Sequence, residues 1–416
     1  MHSFTLLFLA MLIISLATSL WLEQRQLRHV SAHRAAVPDA FTGQISLEAH
    51  QKAADYTVTK VRLSRIELVY STVILLGLTL GGGLDLLDRL WLSLELNLLW
   101  SGIAFLLSLT LLTTVLDLPF SVYRTFRIEQ RFGFNKSTPG LYISDLFKQL
   151  LLMLLIGGPM AALVLWLMDT AGANWWLYVW LVWSSFTLLM MWAYPAVIAP
   201  LFNKFTPLED EALRQRIDQL LERCGFKSNG VFVMDGSRRS SHGNAYFSGL
   251  GSNKRIVFFD TLLKSLSGDE IEAVLAHELG HFRRNHIKKR IVLMMVMSLT
   301  GLALLGWLMQ QTWFYSALGV TTPSVHTALA LFLMVLPVFT FFLQPLMAMS
   351  MRKHEFEADD FAAEHADANE LIRALVKLYE ENASTLTPDH LYSAFHDSHP
   401  PAPVRIAHLS STMETN

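Results

Sequence analysis

The segment His277-Glu278-Leu279-Gly280-His281 contains the residues best suited to chemistry in this chain. Residues four apart share one face of a helix, so His277 and His281 can both bind one metal ion. Glu278 then lies close enough to hold a water molecule at the metal without displacing it. This arrangement leaves an open coordination position, which is typical of a catalytic zinc and not of a structural one. The motif therefore predicts hydrolysis by a metal-activated water.

The helix that must carry this motif has a clear start signal. Ser267 and Glu270 form a capping box ahead of the two histidines. Apolar residues then recur with helical spacing, and basic residues collect near the C-terminal end, where they suit the helix dipole. The apolar residues are Ile271, Val274, Leu275 and Leu279, and the basic ones are Arg283, Arg284, Lys288, Lys289 and Arg290. We expect His286 to face away from the metal on this helix; a polar core feature is the alternative for the histidine pair.

A zinc ion held by two histidines needs a third protein ligand, and catalytic sites often use a carboxylate. Glu355 and Asp359 follow the last apolar run and share one face of a helix, whereas Glu357 points away. We expect Glu355 to bind the metal and Asp359 to accept the ring N–H of a ligand histidine. Taken alone, a solvated acidic turn is the alternative. The apolar hairpin 291–350 returns the chain to the side it left, so Glu355 can lie beside His281.

The composition indicates a membrane protein. Hydrophobic residues make up 52% and charged residues 16% of the 416 residues, against roughly 25% charged in soluble domains. Seven apolar runs are long enough, or nearly so, to cross a bilayer. They lie near 4–22, 66–84, 98–116, 149–168, 175–199, 291–310 and 326–348. The net charge of −2 argues against a nucleic-acid partner, and membrane lipid is the expected surrounding. The single cysteine, Cys224, excludes an intrachain disulfide and cysteine-ligated zinc clusters.

Basic and non-basic loops alternate along the chain. Loops 23–65 and 117–148 are rich in Lys and Arg, whereas 169–174 and 311–325 contain neither. Basic loops stay in the cytoplasm, so this alternation places the N-terminus outside and segment 201–290 in the cytoplasm. The expected location is a bacterial inner membrane, or the endoplasmic reticulum in a eukaryote, with the active site on the cytoplasmic side.

We predict four segments along the chain. Residues 1–200 form five membrane helices, 201–290 form the cytoplasmic catalytic region, 291–350 form a transmembrane hairpin, and 351–416 form a cytoplasmic C-terminal region. The catalytic region is expected to be a small α+β, zincin-like unit packed on the metal helix. Its predicted elements are a helix at 209–223 and strands at 230–234, 244–249 and 255–259.

These motifs, in this order, resemble the integral-membrane zinc metalloproteases called type I CAAX prenyl endopeptidases. Segment 194–205 is similar to the part of the family that leads into the catalytic region, and 240–247 with 254–260 to its substrate-lining strand and hairpin. His277, Glu278, His281, Glu355 and Asp359 match its zinc site. Residues 398–401 with Arg405 match a late motif whose His399 and Arg405 approach the active site.

The resemblance implies seven tilted helices that enclose an intramembrane chamber, with one Zn²⁺ per chain facing it. It also implies removal of the C-terminal tripeptide from prenylated CAAX proteins. The substrate is then a peptide or protein, lipid-modified if the resemblance extends that far. Short loops such as 169–174 favour a bacterial-type homologue.

The predicted mechanism gives each residue a role. His277, His281 and Glu355 hold the metal, and Glu278 takes a proton from water and passes it to the leaving amine. By the resemblance, His399 and Arg405 are candidates to stabilise the oxyanion. Four residues form an edge strand that binds an extended substrate by main-chain hydrogen bonds. These are Asn244, Ala245, Tyr246 and Phe247.

Other functions stay open at this point. Glu278-x-x-His281 is also half of a di-iron motif, but no second half is suitably placed. A membrane quality-control protease would use the same zinc chemistry. A zinc-stabilised, non-catalytic membrane binding protein would also contain the ligands, and in it Glu278→Gln would change nothing measurable.

Overall fold

A computed structural model describes residues 2–248 and 255–415 of the chain. In chain order the helices are α1 (Ser3–Ala32), α2 (Leu47–Leu78), α3 (Gly83–Leu92), α4 (Leu98–Phe132), α5 (Pro139–Thr170), α6 (Gly172–Phe202), α7 (Glu211–Arg223), α8 (Asp260–Ser265), α9 (Gly268–Arg283), α10 (His286–Leu308), α11 (Thr312–Ser316), α12 (Val325–His365), α13 (Ala368–Glu381), α14 (His390–His396) and α15 (Ala402–Thr415). The strands are β1 (Phe205–Pro207), β2 (Val231–Met234), β3 (Ala245–Ser248) and β4 (Arg255–Phe259).

The long apolar helices form a multi-pass membrane region. Six helices are long and apolar enough to span a bilayer, namely α1, α4, α5, α6, α10 and α12. Helices α2 and α3 pass the same test together and are bent by 50° at a short break. Large apolar side chains such as Ile13, Leu155 and Val292 are exposed on these helices, as lipid-facing residues must be. All seven predicted spans fall on these helices, which confirms the predicted architecture.

The bend between α2 and α3 lies at the triple glycine 81–83. Gly82 has φ 77°, a left-handed conformation that favours glycine. The bend brings the start of α3 against the start of α12. There Asp88 lies 2.6 Å from Nε2 of His326, and both side chains are almost fully buried. The glycines therefore end a helix and permit this polar contact.

The four strands form one small sheet. Their order is β1-β2-β4-β3, with β2 and β4 parallel and the other two pairs antiparallel. All three predicted strands are present, although Gly249, the last residue of the predicted 244–249 strand, lies outside the described residues. Strand β1 was not predicted, since three residues are too few to show an alternating pattern. Strand β3 lies at the edge of the sheet.

The catalytic region and the C-terminal region share one hydrophobic core. Phe258 of β4 and Leu279 of α9 pack in the same buried cluster as Phe361 of α12 and Leu375 of α13. The expected segment boundaries at residues 290 and 350 fall inside α10 and α12. Helix α12 therefore runs from the membrane region directly into the site and carries Glu355.

A cavity of about 650 Å³ lies between α1, α2, α4 and α12. Its wall contains hydroxyl and carboxyl groups, including those of Ser15, Ser64 and Asp117. Ser64 and His396 also line a second cavity of about 530 Å³ that extends to His399. Polar groups on membrane-spanning helices are tolerated where they line an internal space. The two cavities share lining residues and extend to His399, which fits a chamber beside the site.

Candidate active site

Helix α9 begins where the sequence predicts. The hydroxyl of Ser267 accepts a hydrogen bond from the backbone N–H of Glu270, and the Glu270 carboxylate accepts one from the backbone N–H of Ser267. This confirmed capping box starts the helical turns that place His277 and His281 on one face. The local sequence thus sets the spacing of the two rings.

The end of α9 differs from the prediction. The helix stops at Arg283, and Asn285 has φ 57°, in the left-handed region that asparagine adopts more readily than most residues. A new helix then starts at His286. The change of direction returns His286 to the site, with its Nδ1 atom 3.0 Å from Nδ1 of His281. The expectation that one helix continues and that His286 faces away is therefore wrong.

Glu355 of α12 meets the two histidines of α9. The Nε2 atoms of His277 and His281 are 3.3 Å apart, and Glu355 oxygens lie 3.5 and 3.4 Å from them. A tetrahedral metal with bonds of about 2.0–2.1 Å separates its ligand atoms by about 3.3–3.4 Å. The three side chains thus have the spacing of ligands around one ion.

The chemistry of these donors also fits a metal cation. Nδ1 of His277 is engaged by Asp359 and Nδ1 of His281 by His286. The two Nε2 lone pairs can therefore point at the same place as the Glu355 carboxylate, whose Oε2 atom is buried without a hydrogen-bond partner. Lone pairs and negative charge gathered in this way need a cation between them. Within the described ranges, this is the one group of three such residues that could hold a metal.

The pKa values of the two histidines support the same conclusion. Burial and the charge of Arg405 lower the pKa of His277, but the carboxylates of Asp359 and Glu355 raise it to about 9. Burial, and then the charge on His277, lowers the pKa of His281 to about 3. The raised and lowered pKa values mean that the ligand group stabilises one positive charge and destabilises a second one. Burial raises the pKa of the Glu278 carboxyl, opposed by the charge on His277.

Asp359 and Arg405 form a support behind His277. Asp359 Oδ1 lies 2.8 Å from Nδ1 of His277, and Arg405 donates from Nε to the other carboxylate oxygen at 2.8 Å. Both side chains are buried. Arg405 Nη1 also lies 3.6 Å from Oε2 of Glu355. These contacts suit a residue that positions His277, and the oxyanion contact implied by the resemblance stays a prediction.

Glu278 and His399 face an open cleft of about 300 Å³ in front of the ligand group. His399 Nε2 lies 3.4 Å from Oε1 of Glu355, and its side chain is 64% exposed. Tyr246 and Phe247 of β3 line the same cleft. The structure therefore brings an acid–base group, an N–H donor and a strand edge to one place.

The edge of β3 offers backbone groups to a peptide. The pairing of Tyr246 with Val257, together with the bond from the N–H of Phe259 to the carbonyl of Asn244, sets the register. In this register the backbone of Tyr246 bonds to β4, and the N–H and C=O of Phe247 point outward. The side chain of Asn244 accepts the N–H of Ala245, so the free edge begins after that group.

Family models cover nearly all of the chain. The model described as "CAAX prenyl protease N-terminal, five membrane helices" matches residues 26–204, and the model of peptidase family M48 matches residues 207–413. The chain belongs to peptidase family M48. The M48 match spans the whole candidate site, and the N-terminal match runs from the end of α1 through α6.

Relatives that match over nearly the whole chain support this family assignment. This M48 protease is 36% identical to the CAAX prenyl protease 1 homolog of Arabidopsis thaliana, over 93% of this chain and 92% of the relative. It is 34% identical to CAAX prenyl protease 1 of Saccharomyces cerevisiae, over 95% and 92%. Its fold matches the crystal structure of S. mikatae Ste24p with a TM-score of 0.92 and 33% identity, over 98% and 99% of the two chains.

These similarities confirm the predicted resemblance to membrane metalloproteases. The M48 protease is a membrane-embedded metalloendopeptidase that acts on a peptide or protein. The family implies a metal, and the His277, His281 and Glu355 group is where the described residues could hold it. The part of the chain that the structure describes has one such ligand group, whereas a di-iron site needs a second Glu-x-x-His helix.

Proposed function

We propose that this M48 protease is a zinc endopeptidase that removes the C-terminal tripeptide of prenylated CAAX proteins at the cytoplasmic face of a membrane. The observation that supports it best is the cleft, where Glu278, the ligand group and the edge of β3 meet. The substrate class comes from the names of relatives that match over nearly the whole chain. The cytoplasmic location rests on the basic loops 23–65 and 117–148.

Zinc is the metal that this donor set suits best. Two imidazole nitrogens and one carboxylate are the protein ligands of many catalytic zinc sites, with a fourth position left for water. When bound, zinc lowers the pKa of that water to roughly 7 and polarises the scissile carbonyl. The protein's task is then to hold three ligands and to move one proton.

We assign the proton transfer to Glu278. It is half-buried, lies beside His277 on α9 and faces the cleft. Its carboxylate takes the proton of the attacking water and delivers it to the nitrogen of the leaving amine, which breaks the peptide bond. Burial favours the first of these transfers, since a raised pKa makes the Glu278 carboxylate a better acceptor of the water proton.

Two groups stabilise the reaction in different ways. His399 is the exposed N–H donor beside Glu355, so it is placed to bind the oxygen on which negative charge develops. Asp359 accepts the Nδ1–H of His277 and thereby directs Nε2 of that ring to the metal. Arg405 holds Asp359 in this orientation from behind.

The edge of β3 binds the substrate as an extra strand. The outward N–H and C=O of Phe247 pair with the backbone of an extended peptide, which brings the scissile bond across the cleft. Main-chain pairing fixes direction and register but selects no side chain. Recognition of the lipid must then come from the apolar surface around the chamber.

The decisive experiment compares cleavage of quenched fluorescent CAAX peptides, with and without a farnesyl group, by wild type and Glu278→Gln. The zinc content of each preparation is measured as well. We expect wild type to cleave the farnesylated peptide and Glu278→Gln to be slower by about 10²–10⁴-fold with zinc retained. Glu272→Gln, on the same helix but bonded to Arg216 and Arg223, is the matched control and should remain active.

Each alternative has its own result. Equal cleavage of both peptides would support a quality-control protease and would contradict the CAAX assignment. Equal activity of wild type and Glu278→Gln would show that Glu278 is not the base. Removal of zinc by a chelator should abolish cleavage but leave the cytoplasmic region folded, because a hydrophobic core independent of the ligands holds that region together. Unfolding on chelation, with no cleavage by any form, would favour the zinc-stabilised binding protein.

A further inference from the structure

The second metal-ligand histidine, His281, lacks the kind of support that His277 has. A histidine that binds a metal through Nε2 must carry its proton on Nδ1, and that N–H normally donates to a carboxylate or carbonyl. His277 has Asp359 for this purpose. The partner that the structure places at Nδ1 of His281 is another ring nitrogen, Nδ1 of His286, at 3.0 Å.

Two imidazole nitrogens form a hydrogen bond only if one carries the proton and the other does not. The other nitrogen of His286 decides which arrangement occurs. His286 Nε2 lies 2.9 Å from Oε2 of Glu357. An ionised carboxylate only accepts hydrogen bonds, so Nε2 of His286 must be the protonated nitrogen. In the neutral ring Nδ1 of His286 is then bare and can accept the Nδ1–H of His281.

This chain of contacts determines the state of the ligand atom. With its proton on Nδ1, His281 presents a bare Nε2 atom toward His277 Nε2 and Glu355. The order of dependence runs from Glu357 to His286 to His281. Each step uses a hydrogen bond with an assigned donor and acceptor, and none requires a change of charge.

His286 is also held in place mechanically. Its side chain is only 5% exposed and stacks on the ring of His354, with centroids 4.0 Å apart and planes 13° from parallel. The left-handed Asn285 turns the chain so that His286 points back to α9. Glu357 comes from α12, two residues after Glu355, so the same helix supplies a ligand and the carboxylate that acts on His286.

We propose that His286 is a positioning residue which, under the control of Glu357, fixes the ring orientation and the tautomer of the metal ligand His281. This inference rests on the proposed zinc site and adds to it a support for the second histidine. The two ligand histidines would then be supported differently, one directly by a carboxylate and the other by a histidine–carboxylate pair.

The test measures zinc affinity, by competition with a chromophoric chelator, on the full-length protein in detergent. Loss of such a supporting hydrogen bond typically weakens metal binding about 10- to 100-fold, and we expect this for His286→Ala. His286→Asn should recover part of the affinity, because its amide oxygen takes the position of Nδ1 and can accept the Nδ1–H of His281. Glu357→Gln should weaken binding by less than His286→Ala, since an amide permits either tautomer.

The matched control is His408→Ala, which removes a histidine–aspartate hydrogen bond between α15 and Asp360 of α12 without touching a ligand. It should bind zinc as wild type does. Thermal unfolding of the metal-free proteins shows whether each variant is folded. Wild-type affinity in His286→Ala, or an equal loss in His408→Ala, would overturn the proposal. A wild-type protein that binds no zinc would instead overturn the proposed function itself.

Discussion

Gly280 of the metal helix packs directly against the backbone of Ala358. A Cβ atom at position 280 would lie 2.9 Å from the Cα of Ala358 and 3.1 Å from its carbonyl oxygen. Because these are backbone atoms, they can move away only if the two helices separate. Glu355 lies one turn before Ala358 on α12, so this close approach sets the distance between Glu355 and the two histidines of α9.

Gly280→Ala should therefore open the ligand group. We expect zinc affinity to fall at least about 10-fold and the free energy of unfolding to fall by about 1–3 kcal/mol, as for other overpacked sites. Chelator competition and thermal unfolding measure the two effects. Gly268→Ala, on the first turn of the same helix, is the control, because its nearest neighbours are Arg216 side-chain atoms at 3.8 Å. Wild-type affinity in Gly280→Ala would show that the helix contact does not set the site.

The roles of Arg405 and His399 can be distinguished by measuring both kinetics and metal binding on variants of each residue. Arg405→Lys keeps the charge but loses the planar guanidinium group that bonds to Asp359. It should weaken zinc binding, with KM for the peptide little changed, since Arg405 is buried against Asp359. His399→Ala should retain zinc and lower kcat by about 10²–10³-fold. Retained zinc with a lowered kcat in Arg405→Lys, and weakened zinc binding in His399→Ala, would instead support the oxyanion role for Arg405.

A proline substitution can test whether the outward N–H of Phe247 binds the substrate. Phe247→Pro removes that N–H at an edge position where proline is tolerated in sheets, and KM for the peptide should rise at least about 10-fold. Phe247→Ala, which loses the same side chain but keeps the N–H, is the control. Tyr246→Pro is a poor test, because it would break the pairing with β4. Equal KM values for Phe247→Pro and Phe247→Ala would exclude strand addition here.

The buried contact of His326 with Asp88 should stabilise the fold without affecting catalysis. His326→Leu leaves the Asp88 carboxylate buried without its partner, which typically costs about 3–5 kcal/mol. Asp88→Leu in the same protein should recover most of this loss. His326 and Glu355 are roughly 40 Å apart along α12 at 1.5 Å per residue. Thermal unfolding should thus change while cleavage per folded molecule does not; unchanged unfolding would show that the pair contributes little.

Much of the architecture could be predicted because it depends on local sequence patterns. The apolar runs set the number of spans, and the capping box of Ser267 and Glu270 set the start of the metal helix. Spacing of four residues placed His277 with His281 and Glu355 with Asp359. The polarity of the loops favoured one orientation, which stays a prediction.

What the patterns could not show depends on contacts between distant elements. Nothing local reveals that Gly280 must meet Ala358, because the glycine is needed only once α12 lies against it. The position of Arg405 behind Asp359 likewise follows from the packing of α15. Helix periodicity tells which residues share a face, but it does not tell which face another helix will cover.

The position of His286 beside the metal ligands shows most clearly which features the sequence determines and which depend on tertiary packing. The sequence determined the chemistry available, namely two histidines and a glutamate on one helix, a carboxylate pair on another, and enough apolar length to embed both. Tertiary structure decided that Asn285 adopts φ 57°, which ends α9 and starts α10 in a new direction. A change at one backbone angle redirects a whole helix, and only the packing of that helix against α12 determines whether the change is stable.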